Sequence, residues 1–141
     1  MPAVVYATVA DVTTAIGESD LLAISDRDGS GEVDADSVEA ALAEASSTAD
    51  SYMAPWLPLA DTPAVLRRHV VAIAVYSLAG NAETDDQRRR YEDAIAWLRD
   101  VAKGVVSLGI PPAAEAPSTS SVPTYHTAAR VMTRETLRGL L

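Results

Sequence analysis

The chain has no cysteine and no phenylalanine, and aromatic residues make up only 5% of its 141 positions. The absence of cysteine excludes disulfides, cysteine-ligated zinc, iron–sulfur clusters and thiol catalysis, and it fits folding in a reducing compartment. Hydrophobic residues still make up 48% of the chain, which is enough for one modest core. That core must consist of Ala, Val, Leu and Ile with a few Trp and Tyr residues, a composition that suits closely packed helices.

The chain also lacks long apolar runs, and its N-terminus lacks basic residues. No run reaches about 18 apolar residues, so we expect no membrane-spanning helix, and the first residues do not predict a signal peptide. Residues 1–66 contain twelve acidic residues and one basic residue, net −11, whereas residues 67–141 contain ten basic and eight acidic residues, net +2. A chain this acidic is a poor general binder of nucleic acid. The asymmetry predicts either a solvated acidic face or head-to-tail association of identical copies.

Apolar residues recur at helical spacing in several stretches, which predicts an all-α fold, a small bundle of about four helices. Asp36 with Glu39 and Thr84 with Gln87 are predicted capping boxes at the starts of the second and fourth helices. The third helix is apolar on most sides, so we expect it to be central. Between the first two helices, residues 21–24 predict a single helical turn.

The composition changes after residue 110 and predicts three parts. Residues 1–110 are the expected helical domain, residues 111–124 a Pro- and Ser-rich linker, and residues 125–141 a C-terminal docking arm. The arm carries apolar residues that would otherwise be exposed, so it must dock on its own domain, on another copy or on a different protein. The arm residues that we expect to bind a partner are Val131, Met132, Arg134, Leu137 and Arg138.

The acidic loop at residues 26–37 imitates an EF-hand calcium loop, with Gly31 at the position of the sharp turn. The candidate ligands are Asp26, Asp28, Ser30, Glu32 and Asp34. The position of the bidentate glutamate holds Ser37, which removes two of about seven ligand oxygens. The alternative is a turn whose polar side chains cap their own backbone and the next helix. We favour the turn and predict no metal and no cofactor.

The other polar residues do not form a catalytic set. His69 is typical of a partly buried structural histidine rather than of a ligand or a base. The arginine run at residues 88–90 lies among acidic residues, which favours an ion-paired helix face over a nucleic-acid patch. The chain contains no Gly-x-Ser-x-Gly elbow and no phosphate loop. We therefore predict that the protein is not an enzyme.

The order of short motifs across residues 4–109 resembles a known family. The motifs are Tyr-Ala-Thr at residues 6–8, Gly-Glu-x-x-Leu at 17–21, Gly-Glu-Val-Asp at 31–34, Leu-Pro-Leu at 57–59, Ala-Ile-Ala-x-Tyr-x-Leu at 72–78 and Arg-Tyr-x-x-Ala-Ile-x-Trp-Leu at 90–98. Each motif is unspecific, but their order and spacing together are similar to the Mu-like tailed-phage family of small neck proteins. Related proteins also occur in prophages and gene-transfer-agent-like particles.

The resemblance implies a head–tail connector, also called an adaptor or head-completion protein, in the neck of a virion made in the bacterial cytoplasm. Such proteins form a homo-oligomeric ring, commonly of about twelve copies, between the portal of the capsid and the tail or stopper proteins. DNA passes through the lumen without sequence-specific binding, and no membrane is involved. C-terminal arms reach the portal or neighbouring copies. The alternative function is a small EF-hand-like calcium-binding helical module.

Two further expectations follow for such a ring. Its wall would consist of the second to fourth helices, with Trp56, Trp97 and Tyr52 in or near the core. The acidic loop would face the lumen, where negative charge repels DNA and allows it to slide.

Overall fold

The computed structural model describes residues 4–109, which form five α-helices joined by short connections. The helices are α1 (Val9–Ile16), α2 (Glu18–Ser25), α3 (Ala35–Met53), α4 (Ala64–Ala79) and α5 (Asp85–Ala102). Turns of 3₁₀-helix follow α3 at Ala54–Trp56 and α4 at Gly80–Ala82. Residues 4–109 contain no β-strand, so the predicted all-α class is confirmed.

The bundle has one helix more than the four expected. The pattern at residues 21–24 predicts a single turn, whereas α2 has eight residues and starts directly after α1. Gly17 joins the two helices with a φ of +86°, a conformation that glycine adopts without a steric penalty. Because α2 buries only Leu21 and Ser25, its periodic apolar signal is weak.

The starts of α3 and α5 test the predicted capping boxes. The Thr84–Gln87 box is confirmed, since the Thr84 hydroxyl accepts from the Gln87 backbone N–H at 3.2 Å and the Gln87 side chain accepts from the Thr84 N–H at 2.9 Å. The capping box predicted for Asp36 and Glu39 is wrong. Asp34 caps α3 instead by accepting from the Ser37 N–H at 3.2 Å, and Asp36 lies in the first turn, where the helix dipole favours an acid.

Helix α4 is central, as its apolar pattern predicts. It packs against all four other helices, most extensively against α3 and α5, and nine of its sixteen residues are buried. Helix α3 meets it with a stripe of small residues that permits close approach of the two backbones. The small buried residues of α3 are Ala41, Ala45, Ser46 and Ala49. The Phe-free composition is therefore accommodated by close helix packing.

The large aromatic residues lie at the edge of this core. Trp56, Trp97 and Tyr52 are partly buried and pack against it, as expected. Tyr6 is buried and holds the segment before α1 across α3: its backbone N–H donates to the Ser46 hydroxyl at 3.1 Å, and its phenol donates to Asp50. Burial, reinforced by the Asp50 hydrogen bond, raises the pKa of Tyr6 well above its ordinary value.

Two further expectations from the sequence concern membrane-spanning helices and the division of the chain into parts. Among the helices described here, none combines the length and the apolar character needed to cross a membrane. The predicted linker at 111–124 and the predicted arm at 125–141 lie outside the described residues, so the division into domain, linker and arm stays a prediction.

Candidate functional site

The first part of the acidic loop folds its carboxylates onto its own backbone. Asp26 accepts from the backbone N–H of Ser30 at 2.9 Å and of Gly31 at 2.8 Å, and Asp28 accepts from the Ser30 N–H at 3.2 Å. These bonds, that from Gly31 above all, lower the pKa of Asp26. Gly31 has a φ of +81°, which directs its N–H at Asp26 and favours glycine there.

The second part of the loop serves helix α3. Asp34 also accepts from the Ser37 hydroxyl at 2.5 Å, and the hydrogen bonds from Ser37 lower the pKa of Asp34. Glu32 is exposed. No three acidic or histidine side chains converge on a common point anywhere in residues 4–109. The carboxylates of Asp26, Asp28 and Asp34 accept from the backbone, as expected for a self-capped turn.

A groove of about 850 Å³ lies between the α1–α2 pair and α5. Helix α4 contacts both sides and forms the floor. The lining includes the apolar residues Ile16, Ala23, Ile24, Val71, Ala72 and Val75. The charged lining residues are Asp20, Arg68, Asp86, Arg90 and Asp93. An apolar floor with a charged rim is typical of a surface that binds a partly apolar partner.

His69 lies at one end of this groove and is 7% exposed. Its ring stacks on Trp97 with the ring centres 4.7 Å apart. Burial lowers the pKa of His69, the nearby Arg68 lowers it further, and Asp93 acts in the opposite direction. A neutral, stacked imidazole between α4 and α5 agrees with the structural role predicted for His69.

The arginine run at residues 88–90 forms surface ion pairs, as predicted. Arg88 pairs with Glu83 at 2.6 Å, and Arg90 pairs with Asp86 at 2.9 Å. Glu83 was not foreseen as a partner, because it precedes the helix and reaches Arg88 from its N-terminal side. Both arginines remain about half exposed, at 49% for Arg88 and 57% for Arg90, so the run is a solvated helix face.

Sequence reasoning missed the groove because its walls come from separate parts of the chain. One signal was available: α4 is apolar on most sides, while α5 buries only Ala94, Leu98 and Val101, so α5 covers only part of it. The predicted arm residues lie outside the described residues, so their role stays a prediction. They are Val131, Met132, Arg134, Leu137 and Arg138.

Comparison with known proteins decides the family. The family described as Bacteriophage Mu, Gp36 matches residues 6–126, well over half of the chain. The chain belongs to the bacteriophage Mu Gp36 family. It is 41% identical over 106 residues to the Mu-like prophage FluMu protein gp36 of Haemophilus influenzae, covering 74% of this chain and 75% of that protein. It is 31% identical over 108 residues to gene product J of Escherichia phage Mu, covering 74% and 77% respectively.

Membership in the Gp36 family confirms the resemblance to Mu-like phage proteins that the motif order predicts. The family match extends beyond the described bundle and reaches residue 126, which includes the predicted linker. The helical bundle, the acidic loop and the groove all lie within the matched part of the chain. They are therefore features of a Mu-like phage protein.

Proposed function

We propose that the protein is a structural part of the phage particle, a head–tail connector that forms a ring of about twelve copies between the capsid portal and the tail. The observation that carries this proposal is membership in the Mu Gp36 family over residues 6–126. DNA passes through the lumen of the ring without sequence-specific binding. The work is mechanical and uses neither catalysis nor a cofactor.

The charge distribution supports a ring built from identical contacts. Residues 4–66 hold twelve acidic residues and one base, whereas residues 67–109 hold seven bases and six acids. A cyclic ring uses a heterologous interface, in which one face of a copy meets a different face of the next. The acidic α1–α3 face of one copy against the α4–α5 face of its neighbour meets this requirement with favourable electrostatics.

The acidic loop suits the lumen of this ring. Asp28, Glu32 and Asp34 are exposed, and no carboxylate of the loop forms an ion pair within residues 4–109. A ring of such loops repels phosphate at close range, so that DNA slides instead of binding. A ring structure with Asp26, Asp28, Glu32 and Asp34 on the outer wall would contradict this part of the proposal.

The C-terminal arm, residues 125–141, supplies the contact with the portal, a neighbouring subunit or a tail protein. Its apolar and basic residues include Met132, Leu137 and Arg138, a combination that suits docking on another protein surface. Deleting residues 125–141 should leave the helical signal of the bundle intact and abolish the joining of heads to tails. Joining by the truncated protein would show that the arm is not the docking element.

Native mass spectrometry of the full chain tests the ring. The protein is measured across concentrations, alone and with the portal protein of the same phage, in calcium and in chelator. Rings of about twelve copies in either sample, independent of calcium, are expected. Monomers in both samples would contradict the connector, and a monomer that gains calcium mass would favour the calcium-binding alternative.

A further inference from the structure

We propose that the groove between the α1–α2 pair and α5 is the docking site for the chain's own C-terminal segment, residues 130–141. This intramolecular site is additional to the connector role and does not depend on it. It concerns the free subunit, in which the C-terminal segment has no other protein to bind.

The groove is suited to a short apolar segment. Its volume of about 850 Å³ lies within the range of clefts that bind ligands. Ile16, Ile24 and Ala72 line it and are only partly buried, so their apolar surface is available to an occupant. Covering such surface removes it from water, which is favourable in proportion to the area.

The C-terminal segment has the composition that such a groove requires. Five of its twelve residues are apolar and larger than alanine. They are Val131, Met132, Leu137, Leu140 and Leu141. Left uncovered, so dense a set of apolar side chains favours nonspecific association.

The segment is tethered within reach of the groove. Twenty residues separate Gly109, the last described residue, from Arg130, and a chain of that length reaches at most about 70 Å. The radius of gyration of a bundle this size is about 13 Å. Helix α5 forms one wall of the groove, and the tether follows this helix in the chain. The tether raises the local concentration of the segment and favours its own groove over a neighbour's.

The charges of the two surfaces are complementary. Arg90 pairs with Asp86, while Asp20 and Asp93 form no ion pair within residues 4–109. Asp20, Asp93 and Arg68 together give the rest of the rim a net charge of −1. Residues 130–141 contain three Arg and one Glu, a net charge of +2. This attraction orients the basic side chains of the segment towards the rim and its apolar ones towards the floor.

A spin label tests the site, because the chain has no native cysteine. Thr136→Cys in the full chain takes a nitroxide, and nuclear magnetic resonance then measures the broadening of backbone amide signals. The amide signals of residues 23–24 and 72–75 are expected to lose most of their intensity relative to a spectrum recorded after the nitroxide is reduced. Full intensity at these positions, or equal broadening over the whole surface, would overturn the proposal.

Matched variants show whether the groove itself is responsible. Ala23→Arg places a long cation on the groove wall and should restore the groove signals, whereas Ala40→Arg on the exposed side of α3 should not. Asp93→Lys, on the exposed rim, should weaken the broadening without touching the core. Broadening that persists in both groove variants would contradict the assignment.

Mixing isotopes distinguishes the chain's own segment from that of another copy. Spin-labelled chains without nitrogen-15 are mixed with nitrogen-15 chains that carry no label. No broadening is expected in this mixture, and broadening in it would assign the groove to a second copy and overturn the intramolecular site. Because ring formation is measured separately, failure here leaves the connector proposal standing.

Discussion

The first three helices and the α4–α5 hairpin use their charged residues differently. In residues 4–66, carboxylates accept hydrogen bonds from the backbone of their own loops and helix starts. These carboxylates are Asp11, Asp26 and Asp34. In residues 67–109, three acids at the start of α5 instead pair with arginines. The two close pairs are Arg88 with Glu83 and Arg90 with Asp86.

Carboxylates in the first region therefore cap the backbone, whereas the paired carboxylates of the second region are neutralised by arginines. Carboxylates that cap the backbone need no base nearby, so the first region keeps a net charge of −11 while the hairpin stays near neutrality. Hydrogen bonds from the backbone or from a capping serine lower the pKa of Asp11, Asp26 and Asp34. The first region therefore presents uncompensated charge that a partner or a second copy can neutralise.

The largest effect is expected from reversing the charge of one residue in each region. Glu44→Lys on α3 and Glu92→Lys on α5 both replace an exposed helical glutamate and change the charge equally. We expect Glu44→Lys to prevent ring formation, because it places a cation on the acidic face that meets the neighbour's basic residues. Glu92→Lys makes the α4–α5 face more basic and should leave rings intact. Sedimentation velocity at low and moderate salt measures the difference. Equal behaviour of the two variants would show that the acidic face has no special part in assembly.

Two core leucines test whether the regions fold as one unit. Leu42 in α3 and Leu98 in α5 are each at most 1% exposed. Replacement of either with alanine should lower the free energy of unfolding by about 2–5 kcal/mol and keep a single transition, because α4 packs against both helices. Urea unfolding followed by helical signal and by Trp fluorescence measures this. Separate transitions for the two probes would indicate that the hairpin unfolds independently.

The helix caps of the two regions should contribute to stability with a different dependence on pH. Thr84→Ala should cost about 1 kcal/mol at pH 7 and at pH 3, since a hydroxyl does not titrate there. The Asp34 carboxylate has a lowered pKa in the folded state, so its contribution is present above the ordinary pKa of about 3.9 and is lost as pH falls through the folded value.

Asp34→Ala should therefore destabilise the protein at pH 7 and have little effect well below the folded pKa of Asp34. Urea unfolding of both cap variants at several pH values measures the contrast. A cost of Asp34→Ala that stays constant at low pH would mean that the charge of Asp34 is irrelevant to its capping role.

The smallest effect is expected for the hairpin's surface pairs. Arg90→Gln removes the exposed pair with Asp86 and should change the free energy of unfolding by only about 0.3–0.5 kcal/mol. Raising the salt concentration should erase the difference from the unsubstituted protein. A loss several times larger would indicate that the arginine run is a stabilising network and not a solvated face.

Local signals in the sequence were sufficient for most helices and for one cap. Thr84 and Gln87 lie three residues apart and bond to each other, so their spacing alone predicts the start of α5. The start of α3 was misplaced because Asp34 and Asp36 both offer a carboxylate, and the loop's path decides which one caps the helix. Helix α2 was underestimated because few of its residues are buried.

The groove could not be predicted in the same way, since it depends on how far apart α2 and α5 lie on α4. Residues such as Asp20 and Asp93 are unremarkable within their own helices and acquire a common role only in the folded bundle. The family, by contrast, was recognisable from motif order, because the order survives where individual motifs are unspecific.

In the proposed ring, the acidic α1–α3 face of one copy meets the α4–α5 hairpin of the next. Electron cryomicroscopy of the neck of the assembled phage particle tests it most directly. The account predicts a closed ring in which α3 contacts the neighbouring hairpin and residues 26–34 face the DNA. A ring in which the acidic faces point outward, or the absence of this protein from the neck, would contradict it.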